Sequence, residues 1–136
     1  RRHTRFRNVT GVQTCALPIS AAHERFAGRR LRVLFQPHLY SRTRHLATEF
    51  GNALAAADEV AVTDVYPARE APLPGVTGKL IVDALSDVGR LAVWTPTVEQ
   101  GVEHVARHAR PGDVVLVIGA GDVDRAPALL RKRLGR

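Results

Sequence analysis

Arg30-Leu31-Arg32-Val33-Leu34-Phe35-Gln36-Pro37-His38-Leu39-Tyr40-Ser41-Arg42-Thr43-Arg44 is the stretch that decides the fold. Its apolar run, Leu31 to Phe35, has the length and residue type of a buried strand. Pro37 ends that strand because it has no N–H to give to a ladder. Ser41 or Thr43 is of the type that caps a helix, so a strand hands over to a helix here. In open α/β sheets ligands gather at the carboxyl ends of the strands. His38, Tyr40, Arg42 and Arg44 crowd this turn, and two of them are permanently charged. The pattern predicts a site for an anion, carboxylate or phosphate. A carboxylate there is expected to meet both the Arg42 guanidinium and the positive end of the helix.

Working outward, the chain alternates strand and helix. Arg42 to Ala57 reads as a helix with Leu46, Phe50, Leu54 and Ala57 on one face. Glu59 to Asp64 reads as the second strand, followed by a loop, Val65 to Pro74, stiffened by Pro67, Pro72 and Pro74. Thr77 or Gly78 opens a helix reaching about Asp87, and Leu91 to Trp94 is a short strand. Thr95 is placed as the cap of a helix with Pro96 in its first position, running to about His108. Val114 to Ile118, the most continuous apolar run, is expected to be the central strand. A Gly-rich turn, Gly119 to Asp122, leads to a last helix from Asp124 to about Leu134. The order predicts a Rossmann-like α/β fold: a mainly parallel sheet, helices on both faces, right-handed crossovers.

Composition bounds the function. The 136 residues make one domain, with 45% hydrophobic and 24% charged residues. No apolar run approaches 18 residues, so neither a membrane span nor a membrane partner is expected. One cysteine, Cys15, excludes an internal disulfide framework and a cysteine metal cluster. The net charge is +7, but residues 1–19 hold four arginines and no acid, leaving about +3 for the rest. Aromatics are only 5%, which leaves single-stranded nucleic acid few stacking platforms. No nucleic-acid partner is expected.

Several motifs read as structural. Gly119-Ala120-Gly121-Asp122 lacks the third glycine of the dinucleotide fingerprint and puts Asp122 where phosphate would sit. A tight turn is favoured over a phosphate cradle. Gly75-Val76-Thr77-Gly78-Lys79 has two residues between its glycines where a P-loop needs four, and Leu80 where it needs Ser or Thr. His104 and His108 stand at i and i+4 without a carboxylate partner pattern, so no metal site is assigned. Asp64, Tyr66, Arg69 and Glu70 follow the second strand at the same edge. They read equally as site residues and as loop ties.

Gln36-Pro37-His38-Leu39-Tyr40-Ser41-Arg42-Thr43-Arg44 closely resembles the signature that opens the C-terminal domain of Mur ligases, in particular their alanine-adding branch. Asp64-Val65-Tyr66-Pro67-Ala68-Arg69-Glu70-Ala71-Pro72, Pro74-Gly75-Val76, Pro111-Gly112-Asp113 and the Gly-rich turn agree in order, so the resemblance spans roughly Gly28 to Leu134. It implies a cytoplasmic, ATP- and Mg2+-dependent ligase of peptidoglycan synthesis that forms an amide between L-alanine and UDP-N-acetylmuramate. It implies that ATP and Mg2+ sit mainly on a central domain absent from this sequence, together with a missing N-terminal domain, and that the fragment alone is inactive. It implies substrate-binding roles for His38, Arg42, Arg44, Tyr66, Arg69 and Glu70, with no catalytic residue and no metal ligand among them. Leu39 replaces an arginine found in many members, which puts more weight on Arg42. The alternative is a stand-alone α/β module that binds a small anion without chemistry.

Val9 to Ile19 resembles the in-frame translation of a sequencing adapter. Residues 1–19 are therefore read as a non-native tail, unstructured or poorly packed, and residues 20–136 as the domain. Ala21 to Gly28 reads as the end of a helix.

Overall fold

The computed structural model describes residues 12–135. Four parallel strands form one sheet: β1 (Leu31–Phe35), β2 (Glu59–Val62), β3 (Leu91–Trp94) and β4 (Val114–Ile118), in the order β3-β2-β1-β4. Register runs Phe35 beside Val62 and Ile118, so the carboxyl ends of the two middle strands and of β4 lie level. Helices α1 (Gln13–Arg25), α2 (Tyr40–Leu54), α3 (Lys79–Asp87), α4 (Val98–His108) and α5 (Ala126–Arg133) cover it, with a 3-10 turn at Asp122–Arg125 ahead of α5.

The alternation of β1 builds two cores. Leu31, Val33 and Phe35 pack with α1, α2 and α3 on one face. Leu34 packs with Val98, Val102 and Val105 of α4 and Leu130 of α5 on the other. Five consecutive buried residues in β1 are what a strand covered on both faces requires. On the first face α2 and α3 approach closely at Gly51, where an added Cβ would meet the Ala84 methyl at 2.6 Å.

Three expectations are corrected. β4 is an edge strand among the described residues, and β1 and β2 hold the middle. An apolar run does not report hydrogen-bonded neighbours: Val114 to Val117 are only partly buried, with Val114 and Leu116 against the first core and Val115 and Val117 against the second. The cap of α4 is Thr97, not Thr95: the Thr97 hydroxyl accepts from Gln100 N–H at 3.0 Å, and the Gln100 side chain accepts from Thr97 N–H at 3.0 Å. Thr95 is buried, and Pro96 therefore precedes the helix.

The third correction concerns the amino-terminal stretch, whose residues 1–11 lie outside the described residues. From Gln13 onward it is a helix, and Cys15 and Ile19 are fully buried in the first core. Cys15, Ile19 and Ala22 fall at i, i+4 and i+7, one helical face. Pro18 lies inside the helix. Burial drives the Cys15 thiol pKa up to about 12. Beyond α1 the chain turns at Gly28, which has a φ of 83° that favours glycine.

Candidate carboxylate site at the carboxyl end of the sheet

Successive strands step outward from β1 to β3 and the chain then returns to β4 on the other side of β1. The strand order thus reverses between β1 and β4, the place where open α/β sheets take ligands. Here that crevice is filled by protein. Gln36, 5% exposed, donates from Nε2 to Asp122 Oδ1 at 2.6 Å and accepts from Val123 N–H at 3.2 Å. A Cβ on Gly121 would lie 2.4 Å from the Tyr66 ring and 2.5 Å from Gln36 Oε1. The Gly-rich turn is a packed floor whose glycine makes room for Tyr66. With Asp122 and Asp124 opening the 3-10 turn, it does not fit a triphosphate.

The open cluster lies beside that floor, above β1 and β2. Tyr66 N–H donates to Pro37 carbonyl at 2.8 Å and Leu39 N–H donates to Tyr66 carbonyl at 2.9 Å. This short parallel bridge holds the His38 and Tyr66 rings stacked, 6.0 Å apart and 15° from parallel. His38 Nδ1 is buried and has no hydrogen-bond partner among the described residues. Burial lowers the His38 pKa, the nearby Arg42 charge lowers it further, and Glu70 opposes them in part. The balance favours the neutral form of the imidazole.

Helix α2 starts at Tyr40, two residues before the expected Arg42, and neither Ser41 nor Thr43 caps it. The N-cap is Leu39, and Thr43 Oγ1 bonds back to the Leu39 carbonyl at 2.8 Å. The cap is provided from afar. Glu70 accepts Ser41 N–H at 3.0 Å on one oxygen and the Ser41 hydroxyl at 2.6 Å on the other. The Ser41 hydroxyl and N–H bonds, with smaller help from Tyr40 N–H and Arg42, hold the Glu70 carboxyl below its ordinary range. The positive end of α2, expected to be open to a ligand, is occupied by the protein's own carboxylate.

The non-glycine residues with positive φ among the described residues are Leu39 (70°), Ala68 (49°) and Arg69 (77°), all beside the Glu70–Ser41 contact. Each such conformation costs on the order of 1 to 3 kcal/mol and persists where the surroundings over-determine it. Asp64 ties the loop's other end: its Oδ1 accepts Gly78 N–H at 3.1 Å and Trp94 Nε1–H at 3.3 Å.

Of the residues singled out from the sequence, His38, Tyr66, Arg42 and Glu70 come together. Arg42 is half-buried in the first turn of α2, close enough to His38 and Glu70 to shift both. Arg44, two residues on, is turned by about 200° and exposed. Arg69 is exposed on the loop. Among the described residues none of the three arginines has a carboxylate within ion-pair distance. Among the described residues, no group of three His, Cys, Asp or Glu is arranged to hold a metal ion, and no helix is long and apolar enough to cross a membrane. Gln36 and Trp94 are the contributors the sequence reading missed. A polar residue closing an apolar strand is the one hint that Gln36 offered.

Comparison with known proteins agrees with this architecture. Residues 8–121 match the family model described as Mur ligase, glutamate ligase domain, a match that takes in α1. The chain is 52% identical over 94 residues to the UDP-N-acetylmuramate–L-alanine ligase of Cutibacterium acnes, covering 69% of this chain and 20% of that protein. It is 47% identical over 117 residues to the Paenarthrobacter aurescens ligase of the same name, covering 86% and 25%. Thus it spans about a fifth to a quarter of the length of these relatives. The crystal structure of the UDP-N-acetylmuramate-alanine ligase of Thermotoga maritima superposes with a TM-score of 0.69 at 26% identity, over 93% of this chain and 25% of that one. A murein peptide ligase from Psychrobacter arcticus shares the fold, with a TM-score of 0.74 at 16% identity over 94% and 26%. The expected Rossmann-like parallel sheet is the fold of these neighbours, and the chain belongs to the Mur ligase family, through its glutamate ligase domain.

Proposed function

We propose that the chain is the amino-acid-holding domain of a cytoplasmic UDP-N-acetylmuramate–L-alanine ligase, an ATP-dependent, amide-forming enzyme of peptidoglycan synthesis. The observation that carries the reading is Arg42: a half-buried guanidinium without an acidic partner among the described residues, beside the His38 imidazole. A planar donor of this kind takes a carboxylate through two parallel hydrogen bonds. His38, uncharged, can accept a hydrogen bond from the amino group of the same ligand, and Tyr66 fixes the imidazole plane. Arg44 and Arg69 add positive field around the mouth. The residues here hold and orient L-alanine. ATP, Mg2+ and UDP-N-acetylmuramate belong to the remainder of the enzyme, and the isolated chain is expected to leave ATP unhydrolysed.

The test is a chimera in which residues 28–134 replace the equivalent segment of the Cutibacterium acnes relative. Alanine-dependent phosphate release is expected from it. Charge-assisted hydrogen bonds contribute about 1.5–3 kcal/mol, so Arg42→Ala should raise the alanine KM on the order of ten- to a hundredfold. The KM for ATP should stay put, and Arg42→Lys should recover only part of the loss. An unchanged alanine KM in Arg42→Ala overturns the reading.

A further inference from the structure

The positive end of α2, with Arg42 and His38 alongside, has the makings of a phosphate site. The structure seats Glu70 on it instead, with both carboxylate oxygens engaged by Ser41 at 3.0 and 2.6 Å. We propose that Glu70 is a specificity-determining residue: an internal carboxylate that keeps free phosphate off the start of α2 and leaves the Arg42 side chain as the place where an external carboxylate docks.

Three observations support this. Glu70 reaches Ser41 across 29 positions of sequence, so the contact is a property of the fold and not of local chain geometry. Leu39, Ala68 and Arg69, the non-glycine residues of positive φ among the described residues, flank it, so the loop adopts unfavourable conformations in delivering the carboxylate. Arg42, although near Glu70, makes no ion pair with it and keeps its fork of donors. A fixed negative charge repels a phosphate dianion more strongly than a carboxylate, and it consumes the backbone donors that phosphate would need. A ligase that releases phosphate beside a carboxylate-bearing amino acid needs this discrimination, and in that respect the inference rests on the proposed function.

The experiment involves no alanine, so its failure is separable from failure of that reading. Inorganic phosphate is titrated into the 136-residue chain, with chloride at matched ionic strength as control, and the Ser41 amide is followed by NMR. The original chain is expected to show no saturable shift at Ser41. Glu70→Ala should expose the amide and bind phosphate more tightly, on the order of tenfold. Glu70→Gln keeps an acceptor for Ser41 but drops the charge. It should gain part of that affinity while unfolding at nearly the original temperature, which a merely structural cap would not produce. If Glu70→Ala fails to fold, Glu70→Gln carries the test. Saturable binding at Ser41 in the original chain, or no gain in Glu70→Gln, overturns the proposal.

Discussion

At the amino end of the sheet, Arg32 is 6% exposed and donates to Asp113 at 2.8 Å and to Glu59, while Arg30 holds the other Glu59 oxygen at 2.9 Å. At the carboxyl end, Arg42, Arg44 and Arg69 meet no carboxylate at ion-pair distance among the described residues. The acid beside Arg42, Glu70, is committed to the end of α2. The same side chain thus stands in two settings in one domain, paired at one end and unpaired among the described residues at the other. Where the chain supplies the counter-charge, arginine cross-links strands: Arg32 in β1 ties Glu59 at the start of β2 to Asp113 just before β4. Where the counter-charge is withheld, the proposed function gives arginine to a ligand.

The largest effect should come from breaking the closed end. Arg32→Ala leaves Glu59 and Asp113 without their buried partner, and removing one member of a buried pair costs about 3–5 kcal/mol. Urea unfolding should show it; a loss below about 1 kcal/mol would mean that water already compensates these acids. The same network sets an acid limit. Burial alone would raise the Glu59 pKa, but its bonds to Arg30 and Arg32 outweigh that and hold it low. The Arg32 bond, against the opposing effect of burial, holds Asp113 low as well. Both folded values lie below the unfolded ones, so their contribution is present above the ordinary carboxylate range and lost as pH falls through the lowered values. Unfolding free energy measured from pH 6 down to pH 2 should fall, and fall less in Arg32→Ala.

Next in size is the floor of the open end. Gly121→Ala drives a methyl into the Tyr66 ring and the Gln36 amide, an overpacking expected to cost about 1–3 kcal/mol. Thermal unfolding checks it, and a neutral result would mean that Tyr66 moves freely. Smallest is Arg42→Ala, which should change stability by no more than about 0.5 kcal/mol because the guanidinium has no ion-pair partner among the described residues to strand. A loss as large as that of Arg32→Ala would erase the contrast between the two ends.

The sequence made much of this legible. β1 and Pro37 could be read because a buried parallel strand and its stop are written in consecutive residues. The helix α1 was hidden because the adapter-like flank outweighed the i, i+4, i+7 pattern of Cys15, Ile19 and Ala22. The edge position of β4 was illegible because apolar runs report covered faces and not hydrogen-bonded neighbours. At the candidate site, the nearness of His38 and Arg42 is a local feature and legible in the sequence. The Glu70 cap and the Gln36–Asp122 bond join residues 29 and 86 positions apart and leave no local trace.

Cys15 gives the domain a built-in clock. It is the chain's one cysteine, it sits fully buried on the inner face of α1, and burial pushes its thiol pKa up to about 12. At pH 8 that leaves roughly one thiol in ten thousand ionised, so a thiol reagent should scarcely react with the folded form. Each modification event then counts a departure of α1 from the sheet, and the modification rate, set against that of the urea-unfolded chain, measures how often the helix lifts.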